Sequence, residues 1–138
     1  STDYNIGFTD MRYSYSKYNK DYIKNRMSIK DQLKYKFILS VEGNDFATNF
    51  SWIMLSNSIP ICPIHVIETW FMESYLQPYI HYIPVKKDLS DLAEKIKWCK
   101  THDKECYKIT QNAKKLFKKI NNKEYILNYL QSILSNFK

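Results

Sequence analysis

The sequence predicts one α/β domain built in three layers around a mostly parallel sheet, and three observations carry that expectation. Apolar runs of strand length alternate with segments of helical spacing, and the short connections between them favour right-handed crossovers. The run Phe37-Ile-Leu-Ser-Val41 is nearly continuous in apolar residues, as a strand covered on both faces requires. The 138 residues, 44% hydrophobic and 16% aromatic, suffice for one core of ordinary size and leave no room for a second.

Residues 1–27 are polar and tyrosine-rich without a clean period, and predict a short strand at 4–8 followed by irregular chain. The opening STDYNIGFTD has no Met, which predicts a start inside a longer protein, with any targeting signal absent or outside it. Ser28 and Asp31 stand at capping-box spacing and predict a short helix over 28–33. The strand at 37–41 leads into a polar turn at 42–45, and Phe46, Ala47, Phe50, Ile53 and Met54 then follow helical spacing until Asn57-Ser58 stops them.

Residues 59–63 form a strand bearing Pro60 and Pro63, which suits a sheet edge or a strand end better than mid-sheet. An aromatic-rich helix over 67–76 closes at Pro78, and 79–85 is the third strand. Asp88-Leu-Ser-Asp91 caps a helix carrying Leu89, Leu92, Ile96 and Cys99. A further helix buries Cys106, Ile109, Ala113, Leu116 and Ile120 and ends at Asn121-Asn122. A last helix within 121–138 places Ile126, Leu130, Ile133, Leu134 and Phe137 on one face, so the core spans 28–120.

Formal charge is +7, and lysines gather after Lys86 on what the spacing makes solvent faces of helices. No aromatic residues alternate with them as a base-stacking platform requires, so nucleic acid is not the expected partner. Peripheral contact with an anionic membrane, or with a negatively charged acceptor, remains compatible with the charge. No apolar run approaches the roughly 20 residues of a membrane-spanning helix. Cys62, Cys99 and Cys106 are odd in number and lack CxxC spacing, which predicts buried free thiols in a reducing compartment rather than disulfides or a metal site.

In an open parallel sheet, ligands sit beyond the carboxyl ends of the strands, so the loops at 42–45, 63–68 and 84–88 are expected to converge. At the first of them, Glu42-Gly-Asn-Asp45 lacks both GxGxxG and GxxxxGK[ST], which excludes a dinucleotide fingerprint and a P-loop. Gly43 serves either the backbone angles of a tight turn, with Asp45 as an N-cap, or the approach of an anion to free N–H groups at the helix start. Thr48 and Asn49 lie one turn into that helix as neutral hydrogen-bond donors, while the two acids suit hydroxyls better than phosphate. Glu68 is either a ribose acceptor or a helix N-terminal acid. His81, expected inside the third strand, is a structural or a catalytic histidine, and His65, His81 and His102 show no metal-ligand spacing.

The segments KYKFILSVEGNDFATNFSWIMLSNSIPI, ETWFMESYLQPYIHYIPVKKDLSDLAEKIKWC and QNAKKLF resemble glycosyltransferase family 90, the lipopolysaccharide-modifying, capsule-associated and protein O-glucosyltransferase group. The resemblance covers about residues 29–117, and EGNDxATNxxW is similar to the bacterial lipopolysaccharide branch. It implies a Rossmann-like lobe like the C-terminal half of a two-lobed GT-B enzyme. It implies inverting transfer of a sugar from a nucleotide-diphosphate donor, UDP-linked, to a hydroxyl of a glycan, lipid-linked or protein acceptor, without a cofactor or metal. Carried over by position, Glu42, Gly43, Asn44, Asp45, Thr48 and Asn49 line the diphosphate and sugar, Glu68 is the family's acid, and His81, Tyr82, Pro84, Val85 and Asp88 lie near the nucleotide. The Ser-x-Arg of eukaryotic members is replaced by Ala47 and Asn49, so Lys86, Lys87, the other lobe or a different donor must answer for the missing cation. The family's general base belongs to the N-terminal lobe, so the resemblance assigns none here. For a bacterial source it implies the cytoplasm or the cytoplasmic membrane face. The rival from another class is an α/β interaction module that keeps the fold without using the pocket.

Overall fold

A computed structural model of the chain describes residues 5, 24–43, 47–65, 68–69 and 71–136. The chain divides into two compact units, Ser1–Gln32 and Leu33–Lys138. In the first, α1 (Ile29–Gln32) begins at the expected capping box: the Asp31 N–H donates to Ser28 Oγ at 3.2 Å, and the Ser28 hydroxyl donates to Asp31 Oδ2 at 2.6 Å. The strand expected at 4–8 falls, but for Asn5, outside the described residues.

The second unit contains β1 (Phe37–Leu39), α2 (Asn49–Leu55), β2 (Ile59–Pro63), a 3-10 turn at Glu73–Tyr75, β3 (Ile83–Val85), α3 (Leu92–Thr101), α4 (Asp103–Ile120) and α5 (Lys123–Ser135). The three strands form a parallel sheet in the order β1-β2-β3, with Leu39 beside Ile61 and Ile61 beside Ile83. This is the α/β, Rossmann-like arrangement that the alternation of strand and helix patterns predicts.

Alternation along the strands sorts the core into two layers. Cys62 and Tyr82 face Phe50 and Met54 of α2, together with Phe71, Met72 and Leu76 from the β2–β3 connection. Ile59, Ile61, Ile83 and Val85 face the other way, towards Cys99 of α3. Both crossovers therefore lie on one face, as right-handed connections between sequentially adjacent parallel strands demand. The chain after β3 covers the opposite face. α4 serves both layers: Cys106 and Ile109 join the second, and Ala113, Phe117 and Ile120 join the first. Its buried stripe includes Phe117, with Leu116 only partly buried, one position on from the periodicity expected. All three cysteines are buried and free, and burial pushes the Cys99 thiol up to about 12.

Five expectations are corrected. First, β2 is the central strand of the three described, not an edge. The Ile59 N–H donates to Lys36 O and Ile61 O accepts from the Ser40 N–H, so the odd-numbered residues of β2 turn their backbone groups to β1 and the even-numbered ones to β3. Pro60 faces the β3 side before that pairing begins at Ile61–Ile83, and Pro63 faces the β1 side after that pairing ends at Leu39–Ile61. Each proline sits where its neighbour asks for no N–H.

Second, the helix expected over 67–76 is, among its described residues, a braced loop with one 3-10 turn. The Glu73 carboxylate accepts from Thr69 N–H at 2.6 Å and from the Thr69 hydroxyl at 2.5 Å. Reciprocally, Glu68 accepts from Ser74 N–H at 2.8 Å and from the Ser74 hydroxyl at 2.9 Å. These side-chain bonds take up backbone donors that a helix would use, and Met72 adopts a left-handed φ of 57° that breaks the helical path.

Third, β3 starts at Ile83 rather than 79, because Tyr79 takes a φ of 61° and the chain turns at residues 79–81. Fourth, α3 starts only at Leu92: Leu89 precedes it with a left-handed φ of 59°, and Asp91 at the N-cap makes no side-chain capping bond, its carboxylate accepting from the Lys86 N–H instead. Fifth, no residue of α5 is buried. Its apolar period is as expected, yet Leu127, Leu130 and Leu134 are about half-exposed or more, and Ile126 is partly covered. The described helices include none long and apolar enough to cross a membrane.

Candidate functional site

Because the strands are parallel and in register, the chain leaves all three at one edge of the sheet, at residues 40–43, 64–65 and 86–88. Two side chains meet there. His65 Nδ1 lies 2.6 Å from Glu42 Oε1, with the His65 side chain 4% and that of Glu42 19% exposed. His65 Nε2 is 3.5 Å from Cys62 Sγ, and the imidazole packs edge-on to Phe50 at 5.0 Å and Tyr82 at 5.6 Å between centroids. Burial, and secondarily the charge of Glu42, pushes the Cys62 thiol well above its ordinary value. Burial first, then Cys62 and Glu42, pushes the Tyr82 phenol up to about 12.

The other positions singled out from the sequence divide by location. Gly43 follows Glu42 at the strand edge, and Asn44 and Asp45 lie outside the described residues. Gly43 is not in the left-handed region, and a Cβ added to it meets no described atom within 4 Å, so the tight-turn requirement is corrected. Thr48 is exposed at the N-cap of α2 and makes no side-chain capping bond. Asn49 opens α2, and its Oδ1 accepts from the Ser40 hydroxyl at 2.7 Å, tying the helix start to the end of β1. The helix has only seven residues, fewer than its pattern predicts.

Glu68 is exposed and Glu73 buried, and both line a cavity of about 220 Å³ together with His65, Ser74, Pro78 and Tyr82. Two carboxylates and an imidazole in its wall suit a hydroxyl-bearing group and oppose a phosphate. Asp88 follows β3 at the same edge as Glu42; hydrogen bonds from Ser90 hold its carboxyl below the ordinary value. Lys86 and Lys87 also follow β3 there and are exposed. Val85 points its side chain into the layer under α3, and Pro84 is half-buried.

His81 lies at the opposite end of β3, in the turn rather than in a strand, where its Nδ1 accepts from the Gln77 N–H at 3.0 Å. Burial lowers its pKa from the ordinary 6.5. A depressed histidine favours the neutral form when folded, so its contribution to stability is complete above the unfolded value and is lost as pH falls through the folded one. Protonation would also remove the acceptor of the Gln77 bond. The wild-type melting temperature should therefore drop more between pH 7 and pH 5 than that of His81→Asn, which keeps an acceptor and does not titrate; equal drops in the two would rule this out.

His65 is the residue that sequence spacing misses. Its partner is 23 positions away, and only strand order brings them together. The available signal was positional: each is a polar residue just past the carboxyl end of a strand. Among the described residues no three His, Cys, Asp or Glu side chains are grouped to hold a metal ion.

The chain matches glycosyl transferase family 90 over residues 2–138. It belongs to that family. Among its relatives, it is 45% identical to O-glucosyltransferase LpsA of Dichelobacter nodosus over 94 residues, covering 68% of this chain and 30% of that protein. It is 38% identical over 119 residues to uncharacterized protein 179R of Invertebrate iridescent virus 6, covering 79% of this chain and 10% of that one. With protein O-glucosyltransferase 3 of Homo sapiens it shares 31% identity over 114 residues, 80% of this chain and 22% of that protein. This family 90 chain thus spans about a tenth to a third of the length of these relatives.

Proposed function

We propose that the chain is the donor-binding part of a family 90 glycosyltransferase, which moves a sugar from a UDP-linked donor to a hydroxyl of a glycan, lipopolysaccharide or protein acceptor with inversion. The observation that carries this reading is the family match across the chain, together with relatives named as O-glucosyltransferases. The geometry of the strand edge supports it. Gly43 leaves backbone accessible beyond β1, Lys86 and Lys87 stand at the same edge as cations for a diphosphate, and the acid-lined cavity beside His65 suits sugar or ribose hydroxyls. Inverting transfer needs a general base to take the acceptor proton. The reading assigns that base to a part of the enzyme beyond these residues, so the chain alone binds donor and transfers little.

Titration of 15N-labelled chain with UDP, UDP-glucose and UDP-xylose tests this. Expected are saturable shifts at Gly43, Asn49 and Lys86. Shifts confined to α4 and α5, or none at millimolar nucleotide, would overturn the reading in favour of a non-catalytic α/β module.

A further inference from the structure

We propose that His65 is a positioning residue for the stretch that follows β1: it holds the Glu42 carboxylate and, through it, sets where Gly43 stands. The functional part of this inference rests on the donor-binding reading above.

The last ladder bond that ties β1 to β2 is Ser40 N–H to Ile61 O, at 2.8 Å. Two residues later the chain is tied back to the sheet by the contact of Glu42 Oε1 with His65 Nδ1. The imidazole making that contact packs edge-on against both Phe50 and Tyr82, which are buried and touch each other, so it cannot swing towards them without moving core rings. Cys62 completes the chain of contacts. An ionised carboxylate only accepts, so at 2.6 Å Nδ1 carries the proton and donates to Glu42, which in the neutral ring leaves Nε2 to accept from the Cys62 S–H. The result is a charge-assisted hydrogen bond, largely shielded from water, between residues that follow neighbouring strands.

The backbone beside the held carboxylate stands open. Gly43 needs no special backbone angle and fills no tight space among the described atoms. A bare backbone position at the ligand edge gains from being fixed beforehand, because a ligand then orders nothing on arrival.

The test compares wild type with His65→Phe, His65→Asn and Glu42→Gln by 15N NMR, first without ligand. Phenylalanine keeps a ring against Phe50 and Tyr82 but donates nothing, whereas asparagine carries an amide nitrogen where Nδ1 stands. In wild type the Nδ1 resonance should be that of a protonated ring nitrogen. The Gly43 amide should shift in His65→Phe and stay near its wild-type position in His65→Asn, and in Glu42→Gln, whose amide oxygen still accepts, Nδ1 should remain a protonated ring nitrogen. With UDP-glucose as probe, Kd should rise about tenfold in His65→Phe and less than about threefold in His65→Asn. An unmoved Gly43 in folded His65→Phe, or His65→Asn behaving like His65→Phe, overturns the proposal. Should His65→Phe fail to fold, the wild-type ring decides: a slowly exchanging Nδ1–H supports the proposal, and an unprotonated or freely exchanging Nδ1 overturns it. If wild type takes up no UDP-glucose, the donor reading fails, and the ligand-free comparison still decides whether His65 holds the turn.

Discussion

Phe50→Ala should cost about 3–5 kcal/mol of folding stability, the usual range for emptying a buried phenylalanine site. The side chain is 0% exposed and lies between the sheet and the β2–β3 connection, with its ring edge-on to Phe71 at 6.0 Å and Tyr82 at 6.3 Å. With His65, whose ring lies 5.0 Å away, these neighbours come from three separate stretches of chain, so none can collapse into the vacancy without dragging its own backbone. Against a total of about 5–15 kcal/mol for a domain, the loss is a large fraction. Urea unfolding followed by tryptophan fluorescence would report it as a lowered midpoint at unchanged slope. Phe50→Leu keeps most of the volume and should lose less than half as much. A loss below about 1 kcal/mol in Phe50→Ala would mean that the α2 layer contributes little to the core.

Glu73→Ala should be the second most damaging change, at about 2–3 kcal/mol, because it strands two donors that the carboxylate now satisfies. Glu73 is 5% exposed and holds both the N–H and the hydroxyl of Thr69. Glu68 holds Ser74 in the same two-pronged way but is exposed, where water can replace it, so Glu68→Ala should cost under about 1 kcal/mol. The contrast is the informative part. Hydrogen exchange should show the Thr69 amide losing protection in Glu73→Ala, while the Ser74 amide changes little in Glu68→Ala. Equal effects for the two glutamates would show that burial does not distinguish the two arms of the brace.

The same brace marks a boundary of what the sequence makes legible. α4 and α5 follow from apolar spacing, and α3 does from Leu92 onward, since a solvent-facing helix writes its period into the chain; Leu89 fits the α3 period but stands outside the helix. β2 was bounded by its turn residues, and its limits are those observed. Residues 67–76 carry the same apolar density, but their path is set by Glu68 and Glu73 gripping hydroxyl residues across the loop, and propensity does not register such bonds. The visible cue is the pattern Glu68-Thr69 and Glu73-Ser74, an acid beside a hydroxyl residue, repeated five positions apart.

The strand edge was legible as a place and less so as a constellation. Parallel topology points to the ends of β1, β2 and β3 before any contact is known. It does not say that His65 would turn inward onto Glu42, which depends on the ring edges that Phe50 and Tyr82 offer it. Val85 and His81 show the converse. Each lies in the expected stretch, but side-chain alternation buries the first under α3 and the turn at 79–81 leaves the second at the far end of its strand. For α5, the period is plain and nothing in it tells whether the unit's own core will take the apolar face.

The prolines of β2 also guard against slippage. A two-residue shift of β3 towards the start of β2 would call on Pro60 for a backbone donor, and a two-residue shift of β1 towards its end would call on Pro63. Each misaligned pairing loses a bond on a different side of the same strand, while the native one asks nothing of either residue. Two imino acids in five positions thus let the central strand accept its neighbours in one alignment and resist a shift of each in the direction that would carry it past its proper stop.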